Sequence, residues 1–374
     1  MKPYNGYGYE PDEFKPGECV FKRDTKHEFC KSFNGRQRSR IMSFAAALFA
    51  LTITVVVPAS EPVKVVFDTD MYTDYDDIGA LAMLHAMADA GEADLLAVLQ
   101  NTRGNSGLAV VEIINRYYGR PDLPVGCVRG IGVQGTGANG FGLLEKYAGW
   151  YRHLDNQTAP DAVDVFRKTL AAQPDGSVVI CSVGYLSNLR LLLESQGDAF
   201  SPLDGKSLVA KKVKKTVIMA CSYPNGNEHN SAGDWQSSKI VFEQWPSPMV
   251  FVDYQYGRNL YAGRAVAESA GEWNPVKDVF KDRLTPRDKV TATSYDQLGG
   301  HPSWDEAAVL AAVRDLSRYF NTERGTFRMV GTNGDDEWVA DTASPNVRVT
   351  VKMPKEDVGK VIDELITRPP RTSR

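Results

Sequence analysis

The sequence predicts an α/β fold, a mainly parallel central sheet with helices on both faces. Short β-branched runs alternate with helix-spaced apolar segments through the chain after residue 60. Strand–helix–strand units leave this pattern. Acidic and glycine-containing segments stand just after several of the strand candidates. In a parallel sheet that is where ligands bind. No internal repeat and no convincing second domain boundary breaks the alternation.

The 374 residues split by charge. Residues 1–41 carry nine Lys/Arg against six Asp/Glu, so the remainder is at −7 although the whole chain is at −4. An acidic body disfavours nucleic acid as a partner, since phosphate binders are normally basic. With 43% hydrophobic and 24% charged residues the composition is that of a globular protein, which excludes a wholly disordered chain or a fibre. Residues 1–41 show neither helical nor strand periodicity and are expected to be a disordered leader. Arg36, Arg38 and Arg40 precede an uncharged run from Ile41 to Val57 that ends in Pro58-Ala59-Ser60. Residues 42–60 therefore read as a signal peptide or anchor, and the protein as exported or held at a membrane through residues 41–57. Met42 at the start of the run makes 1–41 a candidate gene-start error.

Residues 61–374 are read as the catalytic domain. Val63–Phe67 is the first strand candidate, and Ile78–Ala90 a helix with Gly91 at its end. Leu95–Leu99 is a strand, Leu108–Tyr118 a helix and Leu123–Val125 a short strand. Ser177–Ser182 is a strand followed by a helix over Leu186–Leu193. Thr216–Ala220 and Met249–Val252 are strands, and Glu306–Tyr319 is a helix. Cys181 and Cys221 end apolar runs and read as buried free thiols. No CxxC or Cys/His zinc spacing is present.

The chemistry concentrates after the first strand, in Asp68-Thr-Asp70-Met-Tyr-Thr-Asp74-Tyr-Asp76-Asp77. Helix capping accounts for Asp76 and Asp77. It leaves Asp68 and Asp70 unexplained. Like charges held close raise one another's pKa, and a hard divalent cation is the simplest remedy. An EF-hand loop counted from Asp68 fails, because its twelfth position is Gly79 rather than Glu. The haloacid dehalogenase type of phosphatase wants Thr or Val where Tyr72 stands.

DTDxxxDxDD followed by an Ala/Leu-rich helix resembles the inosine–uridine-preferring nucleoside hydrolase family, from Lys64 to about Pro370. Members commonly carry DxDxxxDD, so two extra residues separate the pairs here, as in a divergent branch. Gln100–Asn105, Ser182–Asn188, Glu228-His-Asn230 with Asp234, and Ser303-Trp-Asp305 resemble further family segments in the family's order. The resemblance implies a nucleoside hydrolase-like, Rossmann-like fold and a calcium-dependent N-ribohydrolase giving free base and ribose. It implies calcium held by Asp70, Asp77, Asp305 and the Val183 carbonyl, with Asp70 also the general base on a water. Asp76 would hold the sugar 2-hydroxyl, and Asn105, Glu228 and Asn230 the ribose edge and 5-hydroxyl. Members are often homo-oligomeric.

The family often has His where Trp304 stands. His301 is then the candidate to protonate the leaving base, or it caps a turn with Pro302. His229 reads as a loop residue near the site, Asp74 as solvated or near the metal, and Trp235 and Trp304 as base-stacking or core aromatics. A hydrolase of another sugar derivative and a non-catalytic calcium- or sugar-binding protein are the alternative functions.

Overall fold

The computed structural model describes residues 61–71, 75–104, 106–135, 142–153, 156–284 and 300–371, without the side chains of residues 283 and 284. The leader and the signal peptide or anchor, residues 1–60, lie outside the described residues, as do Asp74 and Asn105. No described helix is long and apolar enough to cross a membrane.

The strands in chain order are β1 Val63–Thr69, β2 Ala93–Gln100, β3 Thr102–Arg103, β4 Val125–Cys127, β5 Val133–Gln134, β6 Val178–Ser182, β7 Val213–Met219, β8 Asn225–Gly226, β9 Met249–Val252, β10 Tyr261–Gly263, β11 Gly300–Pro302, β12 Phe320–Val330, β13 Asp335–Ala340 and β14 Val347–Val351. The main sheet runs β4-β2-β1-β6-β7-β9-β14-β12-β13-β8. Pairings from β4 through β14 are parallel. Those joining β14, β12, β13 and β8 are antiparallel. The chain lays β2 and β4 to one side of β1, and β6, β7 and β9 to the other. Strand order therefore reverses between β1 and β6. A crevice opens at the carboxyl ends of strands at such a reversal.

Both sheet faces are covered, as expected. Val65 and Phe67 of β1 face a cluster that includes Ile78, Leu81 and Leu84 of the Asp76–Asp89 helix, Ile113 of the Gly107–Tyr117 helix and Leu310 of the Trp304–Val313 helix. Val66 faces the opposite cluster, with Phe166, Leu189, Leu208 and Phe242 from four other helices. This alternation is the period-two geometry of a strand.

Two of the shifts from the expected bounds have a local cause. The short strand begins at Val125, not Leu123, because Pro124 has no N–H to give the ladder and contributes only its carbonyl, to Val98 N at 3.0 Å. The late helix stops at Val313, where Arg314 turns extended and pairs with Glu92. Asp315 then caps a separate turn, Leu316–Tyr319, through Ser317 N–H.

Candidate active site

Asp68 ties the ends of β1, β2 and β6 together. Its carboxylate accepts from Ser182 Oγ at 2.7 Å, Asn188 Nδ2 at 2.8 Å and Asn101 Nδ2 at 3.1 Å. Burial pushes its pKa up to about 6, against the pull of those hydrogen bonds. Val183 N–H bonds the Asp68 carbonyl, which seats the segment after β6 beside the segment after β1. Gly184 makes this approach possible. A Cβ there would stand 2.6 Å from both the backbone N and Oδ1 of Asp70.

Asp70, Asp76, Asp77 and Asp305 are all buried, between 1% and 4% exposed. Asp77 accepts from the Thr69 hydroxyl. Asp76 lies in the first turn of its own helix, but its Oδ2 accepts the N–H groups of Trp304 at 3.1 Å and Asp305 at 3.2 Å. It thus caps the Trp304–Val313 helix, whose own N-cap Ser303 makes no side-chain cap. Capping does explain Asp76, but for a helix more than two hundred residues away. The bond carries Asp305 to the first carboxylates. Burial raises the Asp305 pKa well above the usual range, and Asp76, Asp77, Asp70 and Glu306 raise it further.

Val183 points its carbonyl at Asn230, whose Nδ2 donates to it at 3.0 Å and to the Met219 carbonyl at 3.2 Å. The Glu228 carboxylate accepts N–H groups of Cys221, Asn230 and Ser231, each at 3.0 Å, and the Ser231 hydroxyl at 3.2 Å. It is the N-cap of the short His229–Gly233 helix. Asp336 on β13 braces the same turn by accepting from Ser222 N–H and the Ser231 hydroxyl. His229 is exposed, and its Nε2 lies 2.7 Å from the Tyr185 hydroxyl.

His301 is 2% exposed on β11, and its Nδ1 lies 2.7 Å from the Pro302 carbonyl. Nδ1 therefore carries a proton and donates it. Trp304 Nε1 donates to the Tyr254 carbonyl at 2.9 Å, and its ring stacks on Tyr254 at 5.5 Å. Trp235 packs against the second core cluster. Cys181 and Cys221 are buried free thiols, as their sequence positions suggested.

Asp70, Asp77, Asp305 and the Val183 carbonyl could hold a hard cation. All four donors are oxygens, and the carboxylates crowd one another in a way that positive charge would relieve. Among the described residues no three His, Cys, Asp or Glu side chains already form a metal cage. Part of the donor capacity is spent inside the protein, on Thr69 and Asn230. Sequence reasoning missed Asn101 as a clamp on Asp68, Tyr185 as a neighbour of the carboxylates, and Asp336. Asn101 and Tyr185 lay in segments already singled out, Gln100–Asn105 and Ser182–Asn188, whereas Asp336 did not.

The family model described as inosine-uridine preferring nucleoside hydrolase matches residues 65–360. Among solved structures, the fold is similar to a plant nucleoside hydrolase at 20% identity, covering 82% of this chain and all of that one with a TM-score of 0.58. It is similar to an inosine–uridine preferring nucleoside hydrolase from Bacillus anthracis at 14% identity, covering 81% and 99% with a TM-score of 0.57. A type III effector protein complexed with adenosine diphosphate ribose matches at 15% identity, covering 83% and 93% with a TM-score of 0.60. No curated protein matches the chain by sequence. With the family model spanning most of the chain, the protein belongs to the inosine–uridine preferring nucleoside hydrolase family and is a hydrolase of N-glycosyl bonds.

Proposed function

We propose that the protein is a calcium-dependent ribonucleoside hydrolase that releases free base and ribose. The observation that supports this most is the meeting of Asp70, Asp76, Asp77 and Asp305 at the β1/β6 reversal, drawn from opposite ends of the chain. Calcium, when bound among Asp70, Asp77, Asp305 and the Val183 carbonyl, supplies positive charge that anchors vicinal hydroxyls and acidifies a nearby water. Asp70 accepts the proton of the attacking water at Oδ. Water adds to the sugar's anomeric carbon as the C–N bond breaks, and the bonding pair leaves with the base. Positive charge develops on the sugar ring in the transition state, and the surrounding carboxylates stabilise it. Asp76 holds the 2-hydroxyl, Glu228 and Asn230 border the ribose, and Asn105, which lies outside the described residues, is assigned to the sugar by the family resemblance alone. The departing base needs a proton, for which His301 is the sequence-derived candidate.

A panel of purine and pyrimidine ribonucleosides tests the reading. Base and free ribose should appear in equal amounts, with loss on chelation and a drop of about a thousand-fold or more in Asp70→Asn. No base from any nucleoside in the presence of calcium sinks it. The second reading is hydrolysis of another ribosyl compound. The similar effector structure, complexed with adenosine diphosphate ribose, favours including that class in the panel. We further propose that the protein is exported through residues 42–60, or anchored by them. N-terminal sequencing of the mature chain decides this, and a chain starting at residue 1 or 2 refutes cleavage. No nucleic acid is expected as partner, and a homo-oligomer is the expected assembly.

A further inference from the structure

Glu228 and Asn230 carry the sugar's 5-hydroxyl in the reading above, yet both are heavily engaged within the protein. Both hydrogens of the Asn230 amide are directed at the Val183 and Met219 carbonyls. The Glu228 carboxylate accepts from the backbone of residues 221, 230 and 231 and from the Ser231 hydroxyl. Glu228 Oε1, which accepts the Asn230 N–H, can still accept from a ligand hydroxyl arriving at this end of the site, but neither side chain has a hydrogen left to give to that hydroxyl's lone pairs.

Tyr185 and His229 stand there. Tyr185 follows Val183-Gly184 at the carboxyl end of β6 and is 6% exposed. Its ring lies against Gly233, where a Cβ would be 2.4 Å from Cε1, so the absence of a side chain there is what admits the ring. Its hydroxyl meets His229 Nε2 at 2.7 Å. His229 stands between Glu228 and Asn230 and opens the His229–Gly233 helix that Glu228 caps, which places the phenol at the Glu228 turn. Unlike Tyr185, His229 reaches solvent.

The phenol keeps a hydrogen-bonding function in either imidazole tautomer. If Nε2 donates, the phenolic O–H is left to donate elsewhere. If Nε2 accepts, the phenolic lone pairs are left to accept. A hydroxyl can satisfy both cases, because it is donor and acceptor at once. An anion or a cation satisfies only one.

We propose that the Tyr185 hydroxyl, oriented by His229, is a further specificity contact for the hydroxyl on the exocyclic carbon of the substrate's sugar, beside Glu228 and Asn230. This deepens the nucleoside hydrolase reading and rests on it. A site built to bond a hydroxyl discriminates strongly against the analogue that lacks it, because its own polar groups are then left without a partner.

The test compares a ribonucleoside with its 5-deoxy analogue, using the full chain with calcium. The wild type should favour the hydroxyl-bearing substrate by about ten-fold or more in kcat/KM. Tyr185→Phe should lower kcat/KM for the parent nucleoside by about ten-fold, leave the deoxy analogue within about two-fold, and so erase the preference. His229→Ala, at an exposed position, should erase part of it and gives the same readout should Tyr185→Phe fold poorly. An equal loss on both substrates makes the pair structural and overturns the proposal. An unchanged preference in both variants overturns it too. Absence of base release from every nucleoside by the wild type overturns the nucleoside hydrolase reading and this contact with it. Turnover with an unaltered preference overturns this contact alone.

Discussion

Gly184→Ala tests whether the meeting of β1 and β6 is what places Asp70. A Cβ on residue 184 would stand 2.6 Å from Asp70 N, 2.6 Å from Asp70 Oδ1 and 2.7 Å from Asn101 Oδ1. Ordinary contact begins near 3.4 Å, so the two segments must part by about 0.7–0.8 Å. Neither side yields cheaply. Asp70 N is backbone, and Asn101 is fully buried, with its Nδ2 bonded to Asp68. Overpacking of this kind costs about 1–3 kcal/mol. A misplacement of about 1 Å at a reacting group costs about a hundred-fold in rate. Gly119→Ala serves as the control. Gly119 has φ +72° with nothing within 4 Å of a Cβ, so strain there should cost about 1 kcal/mol away from the site. Nucleoside turnover and thermal unfolding are measured on both. Gly184→Ala should lose roughly two orders of magnitude in kcat, while Gly119→Ala loses stability alone. Turnover within about three-fold of wild type in Gly184→Ala would refute the claim that this contact positions Asp70.

Two further outcomes follow from the carboxylates. Asp336 has its pKa raised to about 6, chiefly by burial. The folded chain therefore binds that proton more tightly than the unfolded one, so ionisation removes stability as pH rises from about 4 to about 6, and the loss persists above. Asp336→Asn should flatten this part of the stability–pH curve and raise stability at pH 7.5 by about 1–3 kcal/mol, read as melting temperature at pH 5 and 7.5. An unchanged pH profile would count against it. Calcium at about a hundred times its Kd should stabilise the wild type by about 2.7 kcal/mol, and Asp305→Asn should reduce the shift by weakening the binding. Equal melting shifts in the two proteins would remove Asp305 from the cation's surroundings.

What was legible in the sequence was what local chemistry writes there. Val63–Phe67 and Met249–Val252 are short β-branched runs buried on both faces, and both became strands. The acidic run after β1 announced itself because an uncapped cluster of carboxylates has few structural excuses. The start of β12 carried no such mark, since its four consecutive residues from Asn321 to Arg324, which pair with β14, are all exposed. Asp336 was hidden for the same reason, as one acid among acids until the fold sets it against Ser222 and Ser231. The break after Val313 was hidden as well, because Arg314 leaves the helix for a partner, Glu92, that is remote in sequence.

Asp76 shows why composition alone could not separate structure from chemistry at this site. Its position at the start of a helix made capping a sufficient account, and capping is what one of its oxygens does. The helix it caps, however, delivers Asp305 into the group of acids. Burying that group costs free energy through desolvation and mutual repulsion, as the raised pKa of Asp305 records. A cap needs one carboxylate, and an apolar contact would have joined the two helices with no repulsion to offset. The fold instead brings three more carboxylates into the same space from the first and last thirds of the chain. That excess over what capping requires is the physical argument for the proposal that the cluster serves a ligand with positive charge, whether a bound cation or the sugar as its C–N bond breaks.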